Sequence, residues 1–222
     1  MTATPQARTV GTRLPKPARR RQLLGAAREV FVAQGYHAAA MDEIAERAGV
    51  SKPVLYQHFP GKLDLYLALL DESVDALAAT VRNALASSTD NKQRVTATFT
   101  AFFDFVESTG QAFRLVFESD LRNEPAVRDR LEASTRDCAE IISEIIREDA
   151  GVGDDEAHLL GMGLVGMAQA SATFWLSTDQ KIPKDAAEQL IARLAWRGIS
   201  GWPRAGDGAP EHSDPEHSDP EH

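Results

Sequence analysis

Residues 41–62 read MDEIAERAGVSKPVLYQHFPGK. Met41, Ile44, Ala45 and Ala48 fall at i, i+3, i+4 and i+7, which gives a short helix one apolar face. Gly49 follows and can take the positive φ that ends a helix. Val50 is the apolar residue of the turn. Ser51 stands at the N-cap position of a second helix, and Pro53 falls in its first turn, where a missing N–H costs nothing. That helix is expected from Lys52 to His58, with Leu55 and Phe59 inward and Lys52, Val54, Tyr56, Gln57 and His58 outward or flanking. Pro60-Gly61 stops it before Lys62.

Upstream, Leu24, Ala27 and Phe31 mark one face of a helix from about Arg19 to Gln34, ended by Gly35. Three helices in this order form a compact support for a recognition helix in a DNA major groove. An ordinary helical hairpin with no DNA partner has the same pattern, and charge separates the two. Residues 1–62 hold ten Lys/Arg against four Asp/Glu, a net of +6, and the whole chain carries −9, which leaves −15 on residues 63–222. A basic module on an acidic body is the footprint of a DNA-binding head.

Gly35-Tyr36, Ile44-Ala45, Ala48-Gly49-Val50-Ser51, Leu55-Tyr56, His58-Phe59 and Lys62 resemble, in register, the DNA-binding signature of the TetR family of bacterial transcription regulators. The resemblance implies an all-α fold: a three-helix helix-turn-helix domain over 19–62, then a helical ligand-binding and dimerisation domain over 63–202. It implies that Ser51, Lys52, Tyr56, His58 and Lys62 touch the DNA backbone, with Pro53, Val54 and Gln57 completing the DNA-facing set. It also implies a homodimer on a near-palindromic operator. The chain departs from the pattern at Ala39-Ala40, where a Thr or Ser usually caps the second helix at a value of about 1 kcal/mol. Asp42 can compensate through the helix dipole. Pro53-Val54 replaces a frequent Gly-Thr pair, and Val54 can pack on a thymine methyl. Beyond the head, KLDLYLALL (62–70), TDNKQR (89–94), AFFDFVE (101–107) and FRLVFESD (113–120) resemble the actinomycete members that regulate fatty-acid synthesis. That resemblance implies an effector, long-chain acyl-CoA, which releases the DNA. A repressor of an efflux or catabolic gene, answering another hydrophobic molecule, is the alternative within the family.

The rest of the sequence is consistent with such a regulator. The 222 residues suffice for a small head and a larger domain. One cysteine, Cys138, excludes an internal disulfide and suits a reducing cytoplasm, and it reads as a small buried apolar residue. No signal-peptide pattern is present at the N-terminus. Leu159–Leu176 carries no charge, but its glycines, Gln169, Ser171 and Thr173, and the acidic flank Asp154-Asp155-Glu156, argue against a membrane span. Its GxGxxG match at 161–166 lacks the preceding strand that a dinucleotide site needs, so the small residues read as a close helix contact. No P-loop, HExxH or GxSxG occurs, and His37, His58 and His158 have no partner nearby in sequence. No enzyme, cofactor or metal site is therefore expected.

Leu63, Leu67, Leu70, Val74, Leu77, Val81 and Leu85 give a helix from Lys62 to about Leu85 one apolar stripe. A helix over Asn91–Glu107 follows, with Phe99, Phe102, Phe103 and Val106 at i, i+3, i+4 and i+7. Seven of nine Phe residues lie within 99–174, which fits either a plain core or an apolar tunnel. The resemblance selects the tunnel, with Phe99, Phe102, Phe103, Val106, Phe113, Phe117, Leu164, Met167 and Phe174 as wall residues. Arg82, Arg114 and Arg122 are candidates for a coenzyme A headgroup. Leu77 and Leu85 are expected to contact Phe102, so that ligand repacks the trio and moves the long helix. Further helices are expected over Asn123–Asp149, interrupted by Pro125, and over Asp154–Thr178 and Lys184–Gly198. The last two, with Leu190, Leu194, Trp196 and Ile199, are the dimer pair that the resemblance implies. Residues 1–18 read as a disordered basic arm, solvated or reaching a minor groove, and the PEHSD repeat of 203–222 as a solvated tail.

Overall fold

The computed structural model describes residues 14–108, 120–178 and 180–199, with the side chains of Asp120, Arg122 and Ile199 left out. The elements are α1 (Lys16–Ala38), α2 (Met41–Arg47), α3 (Lys52–His58), α4 (Lys62–Ala86), α5 (Asn91–Ser108), a 3-10 turn (Asp120–Asn123), α6 (Pro125–Ala150), α7 (Asp154–Ser177) and α8 (Lys184–Ile199). The described residues contain no strand. Phe113, Arg114, Phe117, most of the basic arm and the PEHSD tail lie outside them; Lys16–Ala18 belong to α1.

Contacts divide the chain into two compact units. The first takes its described residues from Met1–Asp75 and Thr109–Leu131, the second from Ala76–Ser108 and Glu132–His222. In the first unit α2 packs against both α1 and α3, and Leu24, Ala27 and Phe31 of α1, Ile44 of α2 and Leu55 of α3 are all essentially buried. The turn between α2 and α3 is a Schellman motif: Gly49 sits at φ 64°, its N–H donates to the Glu46 carbonyl at 2.9 Å, and the Val50 N–H to the Ala45 carbonyl at 3.0 Å. Gln22 Nε2 donates to the Ala48 carbonyl at 2.7 Å and so ties α1 to that turn. The N-cap of α2 is Ala40, with no side-chain cap; Asp42 and Glu43 occupy the first turn and complement the dipole.

Two boundaries depart from the sequence expectation. Gly35 breaks α1 at φ 76°, ψ 169°, yet the helix resumes briefly to Ala38. Pro125 does not interrupt a helix; it opens α6, where its fixed φ fits the first helical position, and the residues before it form the 3-10 turn.

The break at Gly35 leaves carbonyls unpaired near the end of α1, and Lys62 fills the gap. Its Nζ donates to the carbonyls of Tyr36 (2.8 Å), His37 (3.2 Å) and Ala39 (3.0 Å). The ammonium also sits 4.5 Å from the centre of the Tyr36 ring. Tyr66 of α4 packs edge-on against Phe31 and Tyr36 at 5.7 and 5.3 Å. As a result, the first half of α4 buries Leu65, Tyr66, Leu69 and Leu70, not the Leu63, Leu67 and Val74 of the expected stripe, which are half-buried. Arg28–Glu72 (3.2 Å) and Arg130–Asp71 (2.7 Å) are exposed pairs worth at most about 1 kcal/mol each.

In the second unit, α5 and α8 pack along each other, and Ala187, Ala192 and Ala195 of α8 are buried. Lys184 Nζ bridges Asp104 and Glu107 of α5. Phe103 of α5 meets Trp175 of α7 at 5.5 Å, and Trp175 Nε1 donates to the Ile182 carbonyl at 2.7 Å. The GxGxxG run lies inside α7. Gly161 is buried against α6, where an added Cβ would come within 2.5 Å of Ser143 Oγ and 2.6 Å of the Ala139 carbonyl oxygen. Ser143 Oγ donates to the Ala139 carbonyl at 2.6 Å and lies 3.1 Å from that of Ala157. Gly161 thus serves the close helix contact expected of the small residues, whereas a Cβ at Gly163 or Gly166 would meet nothing within 4 Å.

Replacing Lys62 with Met removes the ammonium from three carbonyls and keeps the stem. Thermal denaturation should register a loss of at least about 2 kcal/mol, since hydrogen bonds from a charged donor are each worth roughly 1.5–3 kcal/mol. Lys52→Met removes the same charge from an exposed pair with Asp42 and should cost less than about 1 kcal/mol. Equal losses for the two variants would refute the fastening role of Lys62.

Candidate nucleic-acid interface and effector cavity

On α3, Leu55 and Phe59 point inward, 0 % and 2 % exposed, and this fixes which side chains face out. Ser51, Lys52, Pro53, Tyr56 and Gln57 are exposed, while Val54 and His58 are half-buried. Ser51 stands at the N-cap position, but its hydroxyl makes no capping bond; its carbonyl accepts from Val54 and Leu55. Lys52 pairs with Asp42 across the α2–α3 corner. Arg20 of α1 lies over the Phe59 ring at 4.5 Å. Burial and then the charges of Lys16, Arg20 and Arg19 hold the His58 imidazole below its usual range. The positive charges of Lys16, Arg19 and Arg20 beside it have the sign that attracts phosphate. Lys62, half-buried, spends its donors on the α1 carbonyls described above.

The second unit holds a cavity of about 640 Å³, within the usual range for small-molecule sites. Its walls come from α4 (Leu77, Val81, Leu85), α5 (Phe99, Phe102), α6 (Cys138, Ile142), α7 (Leu164, Met167) and α8 (Trp196). Four of the expected wall residues, Phe99, Phe102, Leu164 and Met167, therefore line one space, together with the whole Leu77–Leu85–Phe102 trio. Phe103 and Val106 do not line it. They share the helix but sit on the neighbouring face, fully buried, with Phe103 against Trp175. Phe174 points away and is 64 % exposed. Arg82 is exposed and lies off the cavity wall.

Sequence reasoning missed Arg94, Asp149 and Cys138 in the wall. Arg94 and Asp149 pair at 2.7 Å and are the only charged lining residues among the described residues. Nothing in their spacing announces the pair, since 55 positions separate them. Burial, reinforced by Asp137, pushes the Cys138 thiol up to about 11.

A basic helix-turn-helix head joined to a helical domain with an apolar cavity defines a ligand-responsive DNA-binding regulator. Residues 23–69 match the model described as "Bacterial regulatory proteins, tetR family", and residues 80–209 match "Tetracyclin repressor-like, C-terminal domain". The chain belongs to the TetR family and is a transcription regulator, not an enzyme. It is similar to the HTH-type transcriptional activator FasR of Mycolicibacterium smegmatis, at 50 % identity over 193 residues, 87 % of this chain and 88 % of the relative. Among solved structures, a TetR-like transcriptional regulator from Rhodococcus sp. RHA1 matches at 26 % identity and a TM-score of 0.67, covering 85 % of this chain and all of the other. FadR from Bacillus subtilis, solved in complex with stearoyl-CoA, shares the fold at 20 % identity and a TM-score of 0.69, covering 81 % and 98 %.

Cys138, the one cysteine, reports on the cavity wall. With its thiol near 11, the folded protein at neutral pH should react with maleimide about a hundredfold more slowly than the urea-unfolded chain, because the thiolate is the nucleophile. Stopped-flow or mass-spectrometric labelling rates check this. Equal rates in the two states would mean that the wall is not formed as described.

Proposed function

We propose that the chain is a cytoplasmic homodimer that binds a near-palindromic operator at genes of fatty-acid synthesis and loses DNA affinity when a long-chain acyl-CoA enters the cavity. One observation carries the reading: the helix that follows the recognition helix is the same helix whose last three turns wall the cavity. At 1.5 Å per residue α4 is about 37 Å long, with Lys62 in its first turn and Leu85 near its end. The similarity to FasR supports the gene class, and the stearoyl-CoA held by FadR supports the ligand class. In the DNA-bound form α3 lies in the major groove, and Ser51, Lys52, Pro53, Val54, Tyr56, Gln57 and His58 form the contact set, while Lys62, its three N–H donors taken by the α1 carbonyls, fastens the start of α4 behind them. Exposed Leu159 and Phe174 on α7 and Leu190 and Leu194 on α8 supply an apolar surface suited to a second copy. Two half-sites one helical turn apart, about 34–36 Å, then follow from the two-fold axis.

DNA binding is tested by mobility shift or fluorescence anisotropy with the chain's own upstream region. Wild type should prefer the two-half-site operator over scrambled duplex, and Lys52→Ala should weaken binding to all sequences alike and reduce the salt slope by about one. A salt slope unchanged by Lys52→Ala would remove that residue from the phosphate contacts.

The effector is tested by titrating acyl-CoA of increasing length into the protein–operator complex. Each methylene buried in the cavity is worth at most about 0.8 kcal/mol, or roughly fourfold in affinity, until the space is full. Release should therefore sharpen steeply with chain length and then level off. Leu77→Ala, Leu85→Ala and Phe102→Ala should stay folded and need more ligand to leave the DNA. A response that ignores chain length, or that only an aromatic, drug-like compound elicits, would replace this reading by the efflux or catabolic repressor. Variants that release DNA at the wild-type ligand concentration would clear the trio of any role in coupling.

A further inference from the structure

The described cavity wall is mostly apolar, with neutral polar side chains at Thr98, Ser134 and Gln169, and its two charges, Arg94 and Asp149, are paired where α5 begins and α6 ends. Arg94 stands in the first turn of α5, and Asp149 and Ala150 close α6; all three line the space. Phe99 and Phe102, five and eight residues further along α5, lie about 7 and 12 Å deeper at 1.5 Å per residue. A guanidinium at the end of an oily slot is a costly arrangement unless its charge is met. The protein meets it in part. Nε donates to the Ser88 carbonyl at 2.7 Å, and Nη1 donates to Asn91 Oδ1 at 3.2 Å and to Asp149 Oδ2 at 2.7 Å. Nη2 has no hydrogen-bond partner among the described residues. The Arg94 side chain is only 17 % exposed, whereas its Asp149 partner is 35 % exposed, closer to solvent and more easily displaced.

Building on the acyl ligand proposed above, we infer that Arg94 is the head-group subsite of this cavity: its Nη2 donates to the carbonyl oxygen of a long-chain acyl group, with Asp149 as the internal anion that holds the guanidinium in place. The geometry selects an oxygen acceptor over an apolar or cationic head, because the guanidinium lines the space and no other described lining residue is cationic. The planar fork, fixed on two of its nitrogens by Ser88, Asn91 and Asp149, also aims the remaining donors at low entropic cost. Two sources carry this oxygen: the carboxylate of a free fatty acid and the thioester of its coenzyme A ester. Asp149 treats them differently. It competes with a carboxylate for the same charge and leaves a neutral thioester oxygen on Nη2 nearly unaffected.

Isothermal titration of the full-length protein with palmitic acid, palmitoyl-CoA and hexadecane tests the subsite. The alkane carries the same chain without any oxygen acceptor, and its binding also reports that each variant remains folded. Arg94→Gln should weaken the acid, the thioester or both by about tenfold or more, the loss expected for a charge-assisted hydrogen bond, and leave hexadecane within about twofold. Asp149→Asn should tighten palmitic acid severalfold if the carboxylate is the source, and shift palmitoyl-CoA little if the thioester is. Losses of the same factor for all three ligands in Arg94→Gln would make the residue a helix fastener and overturn the subsite. Unchanged binding of every ligand would overturn it equally. Failure of the wild type to bind any of the three overturns the acyl reading itself, an outcome distinct from the loss of discrimination.

Discussion

The ammonium of Lys62 is the constraint on which the rest of the molecule depends. A helix interrupted by a glycine at positive φ leaves carbonyl groups without amide partners, and an unmet carbonyl in a half-buried place is expensive. One lysine donates to three of them and covers the Tyr36 ring. Because that lysine is the first residue of α4, the start of the helix that follows the recognition helix is fixed to the end of the first. The α2–α3 corner is held separately, by the Gly49 turn and the Gln22 side chain. The head is therefore a small rigid body whose exit direction is specified by hydrogen bonds and whose core of Leu24, Phe31, Ile44, Leu55 and Phe59 excludes water.

That fixed start explains why α4 changes its buried face along its length. Near its beginning the aromatic cluster of Phe31, Tyr36 and Tyr66 draws Leu65, Leu69 and Leu70 inward. Toward its end Leu77, Val81 and Leu85 line the cavity, together with Phe99 and Phe102 of α5. One helix cannot satisfy two partners with a single straight stripe, so apolar residues appear on more than one side. A sequence reading that assigns a single stripe finds the second half correctly and misplaces the first.

Legibility followed the range of the interactions. The head was readable because its determinants are local: a glycine seven residues from Asp42, a Pro in the first turn of α3, and apolar spacing within one or two turns. The helix ends of α3 and α4 fall within a residue of where those signals put them. The cavity was half readable. Periodicity told which residues of α5 are buried, and it cannot tell burial in packed core from burial around a void. Hence Phe99 and Phe102 line the space, while Phe103, one position on, is spent on Trp175. Arg94 and Asp149 were not readable at all. Each is an ordinary surface charge in its own helix, and only the meeting of the start of α5 with the end of α6 turns them into a polar cap on an apolar space. In the sequence both belong to helix ends, where charged residues are common enough to carry no signal.

The proposed regulation has a thermodynamic requirement that narrows how the cavity can work. A ligand shifts a conformational equilibrium only by the difference in its affinity for the two states. By reciprocity, DNA must then lower ligand affinity by the same factor as ligand lowers that of DNA. Apolar contact in a preformed slot is nearly the same in both states unless a wall residue changes place. Leu77, Leu85 and Phe102 are the wall residues positioned to make that difference, because two of them stand on α4 and the third faces it from α5. Head-group binding at the start of α5 would contribute affinity without discrimination, since Arg94 is already held by Ser88, Asn91 and Asp149. The two ends of one cavity would thus divide the labour: one end sets which molecule enters, and the wall against α4 sets what its entry does to the DNA-binding head.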